Sequence, residues 1–98
     1  MFLVEKSTLF DKWIKNLKDR RAKARILTRI KKVESGNLGI NRSVGGKVSE
    51  LKIDYGPGYR LYYTVRGETV IWLLCGGDKS TQTRDIKKAK EILQNLEV

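Results

Sequence analysis

The spacing of hydrophobic residues changes at Val48, and this change constrains the fold more than any other feature of the sequence. Before Val48, apolar residues recur every three or four positions, which is the period of an amphipathic helix. Over residues 48–75 they alternate or run without interruption, as in strands, and two turn-like segments, 55–59 and 66–69, divide that stretch. A helical period returns near the end of the chain. The sequence therefore predicts an α+β fold with its helices and strands in separate stretches.

The first third of the chain predicts a short strand followed by two helices. Residues 1–6 (MFLVEK) form a short apolar run suited to an edge strand. In the first helix, apolar positions over residues 9–17 recur at helical spacing, with Ser7 or Thr8 as the N-cap. The second helix follows a turn and ends at Gly36, because glycine suits the left-handed conformation that closes many helices.

Three strands and a last helix are predicted in the remainder. Residues 48–55, 59–66 and 70–75 are joined by short turns, so an antiparallel meander is the expected arrangement. Residues 35–47 are rich in Gly, Asn and Ser and are expected to form a loop. A second polar loop is expected over residues 76–84, between the third strand and the C-terminal helix.

The net charge and the residue types that are missing narrow the range of functions that the protein can have. The chain, expected to be a single domain over residues 1–98, has a formal net charge of +10 and a pI near 10.0, which favours contact with nucleic acid. A soluble protein that merely happens to be basic is the plainer alternative. The chain has no histidine and one cysteine, Cys75, so we expect no metal site and no cofactor. Without a long apolar run or a signal-peptide core, it is expected to be cytoplasmic and to make no membrane contact.

Alternation within the predicted strands separates two faces of the sheet. Four apolar residues share the face that the first two helices are expected to cover: Leu51, Ile53, Leu61 and Tyr63. The opposite face is expected to be open and to carry Lys52, Arg60 and Tyr62. A guanidinium group that binds phosphate, beside a ring that stacks on a base, suits an RNA-facing surface. Lys79, in the polar loop after the third strand, is expected beside one end of this face.

The second helix carries a stripe of basic residues. Its members recur at spacings of four, four and three, which keeps them on one flank: Arg21, Arg25, Arg29 and Lys32. Such a stripe suits the binding of successive phosphates. It equally suits a solvated face that keeps the helix soluble, and the sequence favours neither interpretation.

Several segments together resemble a known family. They are ELKIDYGPGYRLYY (residues 50–63) and LLCGGDKSTQ (73–82), supported by Phe10 and Trp13, by RILTRI (25–30) and by DIKKA (85–89). The chain is similar to the HigB-like addiction-module killer proteins of the RelE/ParE toxin superfamily, which belong to bacterial type II toxin–antitoxin systems. The resemblance covers nearly the whole chain. It implies a RelE-like fold in which an N-terminal strand and a two-helix hairpin pack on an antiparallel sheet, with a helix at the C-terminus.

The resemblance also implies a function. Such toxins cleave messenger RNA on the ribosome without a metal, since the 2′-hydroxyl of the RNA attacks the adjacent phosphate, and a cognate antitoxin neutralises them. Here that antitoxin is expected to be HigA-like and DNA-binding. By resemblance Arg60, Lys79 and Lys52 are the catalytic residues, and Tyr62 and the basic stripe contact RNA. Glu50 stands where related enzymes have a lysine, and it is either a proton acceptor or the salt-bridge partner of its basic neighbours.

Two other functions remain open at this point. A non-enzymatic toxin of the ParE type has the same fold and inhibits DNA gyrase. Retention of Arg60 and Lys79 favours the nuclease, because a gyrase inhibitor has no phosphate transition state to stabilise. The other alternative is a plain nucleic-acid-binding module that relies on its basic helices.

Overall fold

The structure, a computed structural model, describes residues 1–96. Its strands and helices follow in the order β1 (Leu3–Lys6), α1 (Thr8–Asn16), α2 (Arg20–Glu34), β2 (Asn41–Gly45), β3 (Val48–Ile53), β4 (Tyr59–Arg66), β5 (Val70–Asp78) and α3 (Gln82–Leu96), with a 3₁₀ turn (Lys79–Thr81) before α3. The described strands form one sheet in the order β1-β5-β4-β3-β2. β1 runs parallel to β5, and the other neighbouring strands are antiparallel. The predicted α+β fold, with its N-terminal strand, two helices and C-terminal helix, is confirmed.

Local sequence signals fix the ends of the first two helices. Of the two N-cap candidates of α1, Ser7 is the residue used, and its hydroxyl oxygen accepts a hydrogen bond from the backbone N–H of Phe10 at 3.0 Å. The same hydroxyl donates to the carbonyl of Leu74, which joins the start of α1 to β5. Asp19 caps α2 in the same way. Gly36, at φ +102°, follows the end of α2 as predicted.

The prediction of a loop over residues 35–47 is wrong in part, because residues 41–45 form the edge strand β2. β2 pairs antiparallel with β3, and its side chains are exposed apart from the half-buried Val44. An exposed polar strand has no alternating hydrophobic pattern, so the sequence gives no local signal for it. The turn back to β3 uses Gly46 and Lys47, both at positive φ. β2 matters for the site described below because it lies directly beside β3.

One face of the sheet is covered by α1 and α2, as predicted. The buried residues of this first face are hydrophobic: Phe10, Ile14, Ala22, Ile26, Ile30, Val33, Leu51, Ile53, Tyr59, Leu61, Tyr63, Ile71 and Leu73. Residues 70–75 contribute apolar side chains to both faces of the sheet, and a shift in register contributes to this. The register between β4 and β5 shifts after Tyr62, so that Leu73 faces this cluster while Leu74 and Cys75 both face the other side.

The opposite face is not open, and the prediction that it lies exposed is wrong. α3 crosses it and buries a second cluster: Val48, Tyr62, Leu74, Cys75, Ala89 and Leu93. The buried polar residues Glu50, Arg60, Thr64 and Asp85 also belong to this second face or to α3 itself. Lys52 lies at the margin of this face and is exposed. An amphipathic helix needs an apolar surface, and Val48, Tyr62, Leu74 and Cys75 of the sheet supply one on this face.

Two consecutive glycines allow helices to approach β5 from both faces. A Cβ atom at Gly76 would lie 2.4 Å from the ring of Trp13, which packs from α1. A Cβ atom at Gly77 would lie 1.8 Å from a carboxylate oxygen of Asp85 in α3. Residues predicted to form the root of a polar loop are therefore part of the strand, which continues to Asp78.

No helix among residues 1–96 is both long enough and apolar enough to cross a lipid bilayer.

Candidate functional site

Glu50, on the second face of β3, is the centre of a polar network. Its side chain is 3% exposed and accepts bonds from three neighbours. Arg60 Nε donates to Oε2 at 3.3 Å, while Arg42 Nη2 and Gln82 Nε2 donate to Oε1 at 3.3 and 3.0 Å. Of the two roles left open for Glu50, the geometry therefore has it as a salt-bridge partner. A carboxylate this deeply buried is stable only with such partners.

Arg60 is held in one orientation. Its side chain is 8% exposed, and besides the bond to Glu50 its Nη1 donates to the carbonyl of Gly58 at 2.8 Å. Neither contact uses Nη2. The expectation that Arg60 lies in the open is wrong, because the residue is buried against Glu50 of β3 and Gly58 of the turn before β4. A guanidinium fixed before a substrate arrives loses little entropy on binding, which suits it to stabilise a phosphate.

The two predicted lysines lie on either side of Arg60 and are exposed. Lys52 is the cross-strand partner of Arg60 in the pairing of β3 with β4. Lys79 reaches the same region from the 3₁₀ turn, because Gly58 contacts both residues: a Cβ atom at Gly58 would lie 3.3 Å from Arg60 Nη1 and 3.7 Å from Lys79 Cβ. The structure thus brings the three residues that were predicted to be catalytic to one end of the second face.

Arg42 and Gln82 also belong to this network, and the sequence did not reveal them. Arg42 lies opposite Glu50 in the pairing of β2 with β3. Gln82 is the first residue of α3. A concavity of about 250 Å³ opens at this place, and it is lined by Ile40, Asn41, Arg42, Glu50, Lys52 and Arg60. The only early signal for Gln82 is its place at the end of the segment LLCGGDKSTQ, and Arg42 has none, because its strand was predicted as a loop.

Tyr62 is not at the surface, so the prediction that its ring is available to RNA is wrong. Its relative exposure is 0%, and its hydroxyl group makes no hydrogen bond with residues 1–96. Burial, together with the nearby carboxylates of Glu50 and Asp85, raises the pKa of the Tyr62 hydroxyl well above its ordinary value. Tyr62 therefore packs beneath α3 as a core residue next to the network.

The basic stripe of α2 divides into two kinds of residue. Arg21, Arg25 and Lys32 are exposed. Arg29 instead donates to three backbone carbonyls, those of Leu38, Ile40 and Lys52. Desolvation by burial lowers the pKa of its guanidinium. Arg29 thus holds the segment before β2 against α2, a structural contact that the sequence interpretation did not include.

Arg25 also has a partner within the fold, since its guanidinium carbon lies 4.5 Å from the centre of the Tyr55 ring. Three residues of the stripe, Arg25, Arg29 and Lys32, line a separate concavity of about 360 Å³ with Ile53 and Asp54. The flank is thus basic and accessible, but it lies apart from Glu50 and Arg60.

A larger concavity of about 470 Å³ lies between α1 and α3, and its chemistry differs from that of the network. Its buried carboxylate, Asp85, accepts a hydrogen bond from the hydroxyl of Thr81 and lies 3.6 Å from Arg84. Cys75 lies at its base, and burial raises the pKa of this thiol to about 12, which leaves it protonated at neutral pH. Residues 1–96 contain no cluster of three metal-ligating side chains here or elsewhere. The concavity beside Arg60 is the better candidate, since it combines a buried, hydrogen-bonded arginine with exposed cations.

The chemistry available at this site is stabilisation of negative charge. Arg60 is fixed, while Lys52, Lys79 and Arg42 are exposed around it. Glu50 offsets one of these four positive charges. Such a site suits a reaction in which negative charge builds up on the oxygens of the substrate, as in the attack of an oxygen nucleophile on a phosphodiester.

Comparisons with known proteins agree with the fold and identify a family. An uncharacterized protein of Haemophilus influenzae (strain Rd) is 51% identical over 92 residues, which is 93% of each chain. A chain in the crystal structure of the intact E. coli RelBE toxin–antitoxin complex has a similar fold, with a TM-score of 0.66 and 18% sequence identity. That match covers 80% of this chain and 96% of the other.

The profile of a phage-derived family extends over most of the sequence. It matches residues 12–97, from the first turns of α1 into the C-terminal end. This segment contains Arg42, Glu50, Lys52, Arg60 and Lys79, the polar and basic residues of the site. The chain is therefore a member of the family of phage-derived Gp49-like proteins, DUF891.

Proposed function

We propose that this protein is the toxin of a type II toxin–antitoxin module and that it cleaves messenger RNA on the ribosome. The observation that carries the proposal is Arg60, held by Glu50 and by the carbonyl of Gly58 beside the exposed Lys52. The similarity of the protein's fold to that of a chain in a toxin–antitoxin complex supports the assignment. The resemblance of residues 50–63 and 73–82 to HigB-like toxins supports it further.

The proposed reaction needs no metal. The 2′-oxygen of one nucleotide forms a bond to the adjacent phosphorus, the bond from phosphorus to the 5′-oxygen breaks, and the products carry a 2′,3′-cyclic phosphate and a 5′-hydroxyl. The 2′-hydroxyl loses a proton and the departing 5′-oxygen gains one. Arg60 stabilises the charge on the phosphate oxygens in the transition state, with help from Lys52 and Lys79.

Neutralisation by an antitoxin is the second part of the proposal. A toxin with a net charge of +10 favours a partner with an acidic surface, and the antitoxin of HigB-like systems is expected to be a DNA-binding HigA-like protein. The association should then weaken as salt rises, because screening shortens the range of the attraction. An affinity that stays unchanged from low to high salt would remove this electrostatic part.

The test is primer extension on a reporter transcript in a purified translation system. We compare wild type, Arg60→Ala, Lys52→Ala and the control Arg66→Ala, which removes one positive charge from the far end of β4. Arg60→Ala should lower the cleavage rate about a hundredfold, corresponding to about 3 kcal/mol in the barrier, whereas the control should cut normally. Lys52 is exposed, so its variant tests the site even if loss of Arg60 weakens the fold.

Two outcomes would contradict the proposal. Equal cutting by the wild type and by folded Arg60→Ala and Lys52→Ala variants would exclude these residues as catalysts. An uncut transcript, combined with growth arrest on expression, would favour the gyrase-inhibiting alternative, which a DNA supercoiling assay then tests directly.

A further inference from the structure

Arg42 is bound to the network differently from Arg60. Both guanidinium groups lie 3.3 Å from Glu50, but the side chain of Arg42 is 65% exposed and that of Arg60 is 8% exposed. We propose that Arg42 is a phosphate-binding residue, and that it binds RNA by exchanging its bond to Glu50 for a bond to the phosphate backbone. This inference rests on the proposed function, and it adds a residue from a strand that the sequence did not predict.

The contacts of Arg42 are easily exchanged. Its bond to Glu50 is a single one, whereas Arg60 has a second bond to the carbonyl of Gly58. This bond contributes little, because water competes for the largely exposed guanidinium of Arg42 and its long side chain loses freedom in forming the pair. A phosphate offers the guanidinium two oxygens at once, a geometry that arginine matches better than lysine does.

Glu50 remains satisfied when Arg42 leaves. Gln82 donates to the same oxygen, Oε1, at 3.0 Å, and Arg60 holds Oε2. The departure of Arg42 therefore does not strand a buried carboxylate, which would otherwise oppose the exchange. Gln82 acts here as a positioning residue, because its amide keeps Glu50 in place while Arg42 moves.

The location of Arg42 suits a bound phosphate. It lies at the concavity of about 250 Å³ that Lys52 and Arg60 also line. Three cations surround this space and one carboxylate offsets one of them, so the space keeps an excess of positive charge that a bound phosphate would reduce. Because β2 is an edge strand with exposed side chains, the approach to Arg42 is open among residues 1–96.

The exchange predicts an effect on binding rather than on the chemical step. Arg42 contacts the phosphate in the bound substrate and in the transition state alike, which lowers the concentration for half-saturation without changing the maximal rate. Arg60, fixed in the site, should have the opposite signature. Of the two arginines that contact Glu50, Arg42 therefore contributes to binding and Arg60 to catalysis.

The first experiment measures single-turnover cleavage on mRNA-programmed ribosomes over a range of protein concentrations. Arg42→Ala should raise the half-saturating concentration about tenfold and leave the maximal rate within about twofold of wild type. Arg66→Ala, which removes the same charge from β4, should leave both quantities unchanged. Gln82→Ala should also weaken binding, and adding it to Arg42→Ala should have little further effect. A lower maximal rate for Arg42→Ala, or equal weakening by Arg66→Ala, would overturn the exchange.

The second experiment does not require cleavage. Arginine Nε–H resonances are followed by NMR as ¹⁵N-labelled protein is titrated with a single-stranded DNA oligonucleotide, which lacks the 2′-hydroxyl and stays intact. The Arg42 resonance should shift. The Arg60 resonance should stay in place, because its Nε–H remains bonded to Glu50. An Arg42 resonance that does not move, including the case in which the oligonucleotide does not bind, would overturn the inference. If Arg42 shifts but no transcript is ever cut, the nuclease proposal fails and the anion site stands.

Discussion

The two faces of the sheet are both covered by helices, but the groups buried beneath them differ. Under α1 and α2 the buried side chains are hydrophobic, with Phe10 and Ile26 fully buried. Under α3 the hydrophobic cluster lies beside Glu50, Arg60 and Asp85. Hydrophobic burial stabilises at about 25 cal/mol per Å², whereas buried charges must first be compensated by partners. The comparison indicates that the first face provides stability and the second holds charged groups in position.

The largest expected effect comes from breaking the ion pair on the second face. Glu50→Ala leaves the buried guanidinium of Arg60 without its carboxylate, and we expect a loss of about 4 kcal/mol in the free energy of unfolding, measured with urea. Replacing both partners, as in Glu50→Leu with Arg60→Met, should recover most of that stability while cleavage stays absent. The second face would then be stabilised by hydrophobic burial, as the first face is. A double variant as unstable as Glu50→Ala would contradict the division of roles.

The next prediction concerns the close approach of α3 to β5. In Gly77→Ala the new methyl group would overlap the carboxylate of Asp85, so we expect a loss of about 3 kcal/mol by the same measurement. Combining it with Asp85→Ala removes the overlapping group and should restore part of that loss. Additive losses in the double variant would show that the strain arises elsewhere.

Arg29 and Arg25 provide a smaller contrast within the basic stripe. Arg29→Ala removes the donor for three carbonyls and should cost about 2 kcal/mol in stability. Arg25→Ala loses a contact with Tyr55 and one accessible charge, so its cost should stay below about 1 kcal/mol. Any effect of Arg25→Ala on RNA binding then reflects the lost charge rather than unfolding of the protein. Equal destabilisation by the two variants would argue against the structural role of Arg29.

The smallest effect is expected for Tyr62→Phe. Its buried hydroxyl has no partner among residues 1–96, so its removal should change stability by about 1 kcal/mol or less at neutral pH and leave cleavage intact. Above pH 10.0, the ordinary pKa of tyrosine, the unfolded chain loses this proton while the folded chain retains it, so wild-type stability falls as pH rises. The variant should lose stability less steeply, as followed by thermal unfolding. A loss of cleavage in Tyr62→Phe would show that the Tyr62 hydroxyl has a role in the reaction.

Part of the candidate site was readable from the sequence because it depends on short-range order. Lys52 and Arg60 belong to two strands joined by a short turn, and such a hairpin places them side by side whatever the rest of the chain does. Lys79 follows the next strand and arrives at the same end of the sheet. The place of Arg42 in the site could not be predicted from the sequence, because an exposed strand without alternation is recognised only through its partner, β3.

The sequence by itself determined the order of the principal elements, the start of α1 after Ser7 or Thr8, the end of α2 at Gly36, and the hydrophobic face that α1 and α2 cover. These features follow from the period of the side chains and from the conformations that single residues prefer, both local properties. Tertiary structure decided that α3 covers the second face, that Tyr62 is buried there, and that Glu50 joins Arg60 to Arg42. Alternation marks the two sides of a strand, but which element packs on each side depends on contacts between residues far apart in the chain.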